Sequence, residues 1–181
     1  LNLIDLALKK CEKVMSVIDG VQHPILPISI VGPSEKYYRE VVKTMVADYG
    51  IKTYDDSSKE AYDDAFKIDE KDIKSVIDND EDPSPYNASS LIILYEPGDG
   101  KRLLFAGDAN TTSLQMMLNK YKWLRNVDFL KVPHHGSRRN LNTSIIEDLS
   151  PKSSYISAAG NKKHPSGRLV YWLAKYGNVY S

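Results

Sequence analysis

Apolar and polar positions along the chain predict helices and strands that alternate. An apolar stripe with helical spacing over residues 3–19 predicts a helix that ends at Gly20. The run PISIV at 27–31 predicts a short buried strand after two prolines. Ser34 then stands where the N-cap of a helix over 35–49 is expected. The first third of the chain is therefore predicted to contain two helices and one strand.

The second half of the chain repeats this alternation more regularly. Gly98, Asp99 and Gly100 form a turn signal between two apolar runs, which predicts an antiparallel hairpin. Thr111 or Thr112 is the expected N-cap of the helix that follows. Strands are predicted over 89–96, 102–108, 127–133 and 153–159, and helices over 113–124, 143–149 and 168–177. This order of elements predicts an α/β layered fold.

An acidic segment separates the two parts. Residues 52–86 are rich in Asp and Glu and poor in β-branched residues. We expect an exposed insertion with one or two short helices, in part disordered, as a solvated loop or alternatively as a lid. The chain then divides into 1–51 (linking helices and strand), 52–86 (acidic insertion) and 87–181.

Charge and composition narrow the class of protein. The net charge is zero, but basic residues gather in the last third of the chain, beside three of the four histidines. Such a local basic rim can attract phosphates, although surface lysines also serve solvation alone. Cys11 is the only cysteine, which excludes an internal disulfide. No apolar run reaches the ~20 residues of a membrane helix, so no membrane segment is predicted and the expected compartment is the cytoplasm.

Polar side chains occur where successive predicted strands end. Asp108 follows one strand, His134 and His135 follow the next, and His164 lies beyond the one after that. Asn87 precedes the strand over 89–96. In layered α/β folds the ends of the strands share one rim. Asp and His are suitable ligands for zinc, manganese or iron, so the sequence predicts a metal site there.

Each of these residues also has a purely structural interpretation. Asp108 serves equally well as a turn residue that caps the next helix, and His164 as an ordinary loop residue. Either His134 or His135 is expected to be structural, because neighbours on an extended chain point in opposite directions. Taken together, the four positions favour one hydrolytic pocket over separate coincidences.

The segments NASSLIILY, RLLFAGD, DFLKVPHHGSR and PKSSYISAAGNKKHP resemble the C-terminal half of metallo-β-lactamase-fold hydrolases. The resemblance covers about residues 87–176. It is greatest to the branch found as the soluble domain of DNA-uptake competence channel proteins. GPSEKYY at 32–38 is similar to a segment between the two halves in that branch.

The resemblance implies a four-layer αββα sandwich that holds one or two divalent metal ions, zinc or manganese. Asp108 matches the metal-bridging aspartate, and His164 and either His134 or His135 match the later histidine ligands. Asn87 falls where many relatives keep a histidine, and asparagine is a poor metal ligand. The main motif of the family, His-x-His-x-Asp-His, belongs to its N-terminal half and does not occur in this sequence.

We therefore expect these 181 residues to form a partial domain that lacks the N-terminal half and is inactive alone. The missing half or a second copy of the chain would cover its bare sheet face. The implied activity is metal-dependent hydrolysis by a phosphodiesterase or nuclease that acts on DNA or RNA.

Within that activity, Asp108 is expected to orient the attacking hydroxide, and His134 or His135 to protonate the leaving oxygen. Further polar residues are expected to contact flanking phosphates or water: Asn87, Ser137, Arg138, Arg139 and Asn161. Two alternatives remain: a hydrolase of small esters, thioesters or lactams, and a non-catalytic scaffold with a degenerate metal site.

Overall fold

The computed structural model of the chain describes residues 19–48, 69–159 and 164–181. The predicted helix over 3–19 lies outside the described residues except for Asp19, and so does Cys11. Residues 52–68 of the acidic segment and Asn161 also lie outside them. No helix of the described ranges is long and apolar enough to cross a membrane.

A six-stranded mixed sheet organises the described residues, with its strands in sequence order from edge to edge. The strands are β1 Ile28–Gly32, β2 Ile92–Tyr95, β3 Leu103–Phe105, β4 Phe129–Lys131, β5 Ser153–Tyr155 and β6 Asn178–Tyr180. The β1–β2 and β2–β3 pairs are antiparallel, and β3, β4, β5 and β6 pair in parallel. This confirms the α/β class and the antiparallel hairpin. Strand β6 was not predicted, because its three residues follow a helix directly and carry one aliphatic side chain.

Six α-helices connect the described strands or flank them: α1 Glu35–Asp48, α2 Glu70–Asp78, α3 Pro85–Ala88, α4 Thr111–Lys120, α5 Thr143–Leu149 and α6 Gly167–Leu173. Ser34 caps α1 as predicted, since its Oγ accepts a hydrogen bond of 3.3 Å from the Tyr37 amide. The cap of α4 is Asn110 rather than Thr111 or Thr112. That helix begins two residues earlier than predicted, and the Asn110 side chain accepts from the Ser113 amide at 3.0 Å.

The end of the acidic segment is part of the core rather than an exposed loop. Helix α2 carries Ile73 and Ile77 on one face, four residues apart, and both side chains are buried. They join the apolar cluster that α4, α5 and α6 form against the sheet. The prediction of short helices is confirmed for 69–86, but this part is not wholly exposed, because Ile73, Ile77, Asp82 and Pro85 are buried. Acidic residues on the outer face of α2 concealed its apolar face.

The described helices cover only one face of the sheet. Leu94, Leu104 and Leu130 are paired across neighbouring strands and are almost fully buried under the helices. The opposite face carries side chains that alternate with these, and we call it the open face. Its exposed aromatic residues are Phe105, Tyr155 and Tyr180, which are 37%, 46% and 54% exposed. The described residues thus form one helical layer and one sheet layer, and a four-layer sandwich is not seen in them.

We expect Leu104→Ala and Leu103→Ala to differ sharply in stability. Leu104 is fully buried beneath the helices, so its truncation should lower the free energy of unfolding by about 2–5 kcal/mol. Leu103 is its neighbour on the open face, and its truncation should cost about 1 kcal/mol or less. Urea denaturation of the two variants measures both costs. Equal costs would contradict the one-sided packing.

Candidate active site

The carboxyl ends of the parallel strands bring three imidazoles together. The His134 amide donates to the Gly107 carbonyl at 3.2 Å, which joins the end of β4 to the end of β3. The ring centroid of His164 lies 5.4 Å from that of His134 and 6.5 Å from that of His135. The His134 and His135 centroids are 6.1 Å apart. We call His134, His135 and His164 the histidine cluster.

The adjacent histidines do not lie on an extended strand end. Their φ angles are 43° and 55°, and that of Gly136 is 80°, so the chain makes a left-handed turn directly after Pro133. Histidine tolerates this region better than most residues, although it costs energy. Because both rings lie near His164, the expectation that one of them points to the opposite side is wrong. The turn replaces the alternation of a strand.

Gly136 lets the His164 loop approach this turn. A Cβ at Gly136 would lie 2.8 Å from the Pro165 Cβ and 3.0 Å from the Ile156 Cγ2. The Ser166 amide donates to the Gly136 carbonyl at 2.9 Å and fixes the approach. His164, which is 8% exposed, is thereby held beside the other two rings. A glycine in the histidine motif is needed for packing as well as for its positive φ.

Asp108 lies at the same edge of the sheet and is half-buried. The hydrogen bond that His134 donates to Asp82 is the main cause of the raised pKa of His134, and the negative charge of Asp108 contributes to it. Burial lowers the pKa of Lys131, and the charge of Asp108 opposes this shift. Asp108 therefore lies near enough to His134 and Lys131 to act on both electrostatically, and its role as a metal ligand stays a prediction.

A buried carboxylate that sequence reasoning missed contacts His134. Asp82 is 5% exposed, and its Oδ2 lies 3.2 Å from the His134 Nδ1. The same oxygen accepts hydrogen bonds from Asn87 Nδ2 at 2.7 Å and from Asn140 Nδ2 at 3.1 Å. The other oxygen, Oδ1, accepts from the Ser84 amide at 2.9 Å. Four hydrogen-bonding groups thus compensate the burial of one charge.

These contacts determine the ionisation of the pair. Burial opposes the ionisation of Asp82, but hydrogen bonds from His134, Asn87, Ser84 and Asn140 hold the pKa of Asp82 well below its ordinary value. The hydrogen bond that His134 donates to Asp82 raises the pKa of His134, against the opposing effect of burial. Both shifts favour a charged pair.

The rest of the cluster has different surroundings. His135 is exposed, and its Nδ1 lies 2.6 Å from the Ser157 carbonyl oxygen, which follows β5. Asn87 lies against the cluster, with its Nδ2 3.3 Å from the His134 Nδ1. Asn87 therefore lies beside His134, and its contact with phosphate or water stays a prediction.

The predicted phosphate-binding residues Ser137, Arg138 and Arg139 contact other groups of the protein in this structure. Ser137 is 1% exposed, and its Oγ accepts from the Arg139 amide at 3.2 Å. Arg138 and Arg139 both pair with Asp80, at 3.2 Å and 2.9 Å, and each side chain is less than one-fifth exposed. Asp80 therefore offsets part of the basic charge beside the cluster. The assignment of these residues to phosphates stays a prediction.

The sequence contains a local signal for the role of Asp82 but none for that of Asn140. The run DPSP at 82–85 is typical of an Asx turn followed by a capped helix, which marks Asp82 as something other than a solvated acid. The surrounding acidic residues hid that signal. Asn140 is fully buried and offered no signal, because its partners are distant in sequence.

The donor types at the cluster suit zinc or manganese, which bind imidazole nitrogen and carboxylate oxygen. In this arrangement, however, no three His, Cys, Asp or Glu side chains of the described ranges are grouped as a ligand set. The donor chemistry therefore fits the implied metal, and the set is incomplete. Asp108 and the histidine cluster remain the predicted ligands.

A cavity of about 430 Å³ adjoins this network and shares Asp82 with it. Its polar lining includes Tyr37, Glu40, Glu81, Asn110 and Thr112. Two further carboxylates beside Asp82 make this cavity unfavourable for a phosphate group.

No family model matches the chain. It is 33% identical over 97 residues to ComE operon protein 3 of Bacillus subtilis (strain 168). The aligned region covers 52% of this chain and 12% of the length of that relative. The similarity is therefore to a small part of a much longer protein.

We expect the Asp82–His134 pair to stabilise the metal-free fold most between about pH 4 and 6.5. The contribution of His134, whose pKa is raised, is complete below its ordinary pKa and is lost as the pH rises through the folded-state pKa. The contribution of Asp82, whose pKa is lowered, is complete above its ordinary pKa and is lost as the pH falls through the folded-state pKa.

Urea midpoints of the protein and of Asp82→Asn, measured across this range, test the pair. The difference between them should narrow as the pH rises through the folded-state pKa of His134. Asp80→Asn, which removes a carboxylate from the same loop, is the control. The difference in urea midpoint between Asp80→Asn and the unsubstituted protein should not narrow in this way. A stability difference that is constant on the alkaline side would contradict the pairing.

Proposed function

We propose that this chain belongs to a metal-dependent phosphodiesterase or nuclease that acts on DNA or RNA. The observation that carries the proposal is the histidine cluster at the carboxyl ends of the parallel strands, where the His134 amide bonds to Gly107, the residue before Asp108. Catalytic groups of layered α/β proteins commonly collect at this edge. The resemblance in this part of the sequence and the partial match to ComE operon protein 3 support a competence-related hydrolase.

One or two divalent ions, zinc or manganese, would be held by Asp108, His164 and His134 or His135. When bound, such ions stabilise charge on phosphate oxygens and lower the pKa of bound water to about 7. The remaining ligands are expected from a segment outside this sequence or from a second copy. The backbone hydrogen bond from the His134 amide to the Gly107 carbonyl keeps the two adjacent histidines next to the strand end that carries Asp108.

Two imidazoles are available for proton transfer in this proposal. His135 is exposed and can reach a leaving oxygen, whereas His134 is half-buried and paired with Asp82. We therefore assign the general acid to His135 and a ligand or electrostatic role to His134. Asn87 lies beside them as a hydrogen-bond donor that can orient water or a phosphate oxygen.

A nucleic acid is the preferred substrate class for electrostatic reasons. The His134 imidazole contacts Asp82 on one side, and carboxylates line the cavity that adjoins Asp82. A phosphate therefore fits the histidine side better than the cavity. The choice of nucleic acid over other phosphodiesters rests on the resemblance.

The open face also belongs to this proposal. One row of this face runs through Phe105, Lys131, Tyr155 and Tyr180 on four neighbouring strands. Three of these residues are exposed aromatic side chains, and such surfaces often mark the contact with a further protein layer. We propose that the N-terminal half of the same protein or a second copy packs there and completes an αββα sandwich. The same partner would bring the missing metal ligands.

The full-length protein should cleave DNA or RNA when Mn²⁺ or Zn²⁺ is added, and a chelator should stop the reaction. Asp108→Ala should lower cleavage to background, because it removes the predicted bridging carboxylate. Asp99→Ala, in the exposed hairpin turn, should retain activity. Gel-based cleavage assays and metal analysis provide both measurements.

Three outcomes of these assays would count against the nuclease. Folded protein with bound metal that cleaves only small esters, thioesters or lactams supports the small-molecule hydrolase. Folded protein with no stoichiometric metal and no hydrolysis supports the scaffold. Full activity of Asp108→Ala would remove Asp108 from the proposed site.

Tyr155→Asp should prevent the open face from being covered. A carboxylate at this position is costly to bury under a second layer, even opposite Lys131 on β4. Sedimentation of this chain, alone and mixed with the N-terminal half, should show weaker association for Tyr155→Asp. Trp123→Asp changes an aromatic residue that is 53% exposed and lies outside the open face, so it should associate normally. Equal association of both variants would contradict this interface.

A further inference from the structure

We infer that Asp82, together with Asn140, is a positioning residue that holds His134 as its Nδ1–H tautomer and leaves Nε2 as the working nitrogen. The tautomer follows from contacts within the chain. What Nε2 then binds rests on the proposed function.

Three polar atoms surround the His134 Nδ1. Asp82 Oδ2 and Asn140 Oδ1 each lie 3.2 Å from it, and Asn87 Nδ2 lies 3.3 Å from it. Two of the three are acceptors, and the Asn87 amide already donates to Asp82 at 2.7 Å. An unprotonated Nδ1 would place its lone pair against a carboxylate and a carbonyl oxygen. A proton on Nδ1 satisfies both acceptors.

The orientation of the Asn140 amide is itself determined by its neighbours. Its Nδ2 lies within hydrogen-bonding distance of three oxygens: Asp82 Oδ2 at 3.1 Å, the Asp108 carbonyl at 3.1 Å and the Ala109 carbonyl at 3.3 Å. A flipped amide would turn an acceptor toward these oxygens. The Asn140 Oδ1 must therefore face His134, where it accepts from Nδ1–H.

This arrangement also couples His134 to the strand end that carries Asp108. Asn140 is fully buried and bridges the His134 ring to the backbone after β3. Asp82 is held in turn by Ser84 and Asn87. The ring is thus fixed relative to Asp108 before any ligand binds, which is how outer hydrogen-bonding partners orient metal-binding histidines.

His135 provides a comparison within the same molecule. Its Nδ1 lies 2.6 Å from the Ser157 carbonyl oxygen, which is an acceptor only, so His135 is also placed in the Nδ1–H tautomer. Its acceptor belongs to the backbone and does not depend on Asp82. Substitution of Asp82 should therefore change His134 and leave His135 unchanged.

Long-range ¹H–¹⁵N correlation spectra of ¹⁵N-histidine-labelled protein test the tautomer directly. At alkaline pH, where the rings are neutral, the metal-free protein should show His134 with Nδ1 protonated and Nε2 unprotonated. Asp82→Ala should give a detectable fraction of the Nε2–H tautomer at His134 alone. Asp82→Leu, which has a similar shape and no hydrogen-bond acceptor, provides the same test if Asp82→Ala does not fold. Asp80→Asn is the matched control and should leave the His134 pattern unchanged.

A Zn²⁺ titration of the full-length protein gives a second measurement. Loss of Asp82 should weaken Zn²⁺ binding roughly 10–100-fold, and Asp82→Glu should restore part of it. An Nε2–H tautomer at His134 in the unsubstituted protein, or an unchanged tautomer in both Asp82 variants, overturns the inference and leaves the proposed function intact. The Nδ1–H tautomer in a full-length protein that binds no metal keeps the positioning role and overturns the proposed function.

Discussion

The parallel pairing of β3, β4 and β5 over one buried apolar layer is the constraint on which the site depends. Leu104 and Leu130 pair in register beneath the helices, and this pairing sets the carboxyl ends of their strands side by side. The loops that follow these strands therefore all begin at the same edge of the sheet. The strand ends that lead to Asp108, to the two adjacent histidines and toward His164 therefore lie side by side, because β3, β4 and β5 run in one direction.

The site adds a second constraint, the burial of charge. The side chain of Asp82 is 5% exposed. Its carboxylate accepts hydrogen bonds from Ser84, Asn87, Asn140 and the His134 ring. A carboxylate buried in this way is costly unless its partners are all in place. The same bonds that stabilise the charge orient an imidazole, so stability and function draw on one network here.

The two faces of the sheet differ in how far the described residues cover them. Under the helices, packing is continuous from α2 to α6, and the core includes residues that the acidic composition of 52–86 concealed. On the other face, Phe105, Tyr155 and Tyr180 remain accessible. The proposed second layer would pack on that face.

The sequence by itself determined what depends on local periodicity and on short motifs. It predicted the alternating elements, the hairpin, the Ser34 cap and the positions of Asp108, His134, His135 and His164 at strand ends. Only the tertiary structure decided the left-handed turn at the histidines, the cap at Asn110 and the roles of Asp82 and Asn140. Asp82 and His134 are separated by 52 positions. No local pattern records such a contact, because burial and hydrogen bonding between distant segments exist only once the sheet has formed.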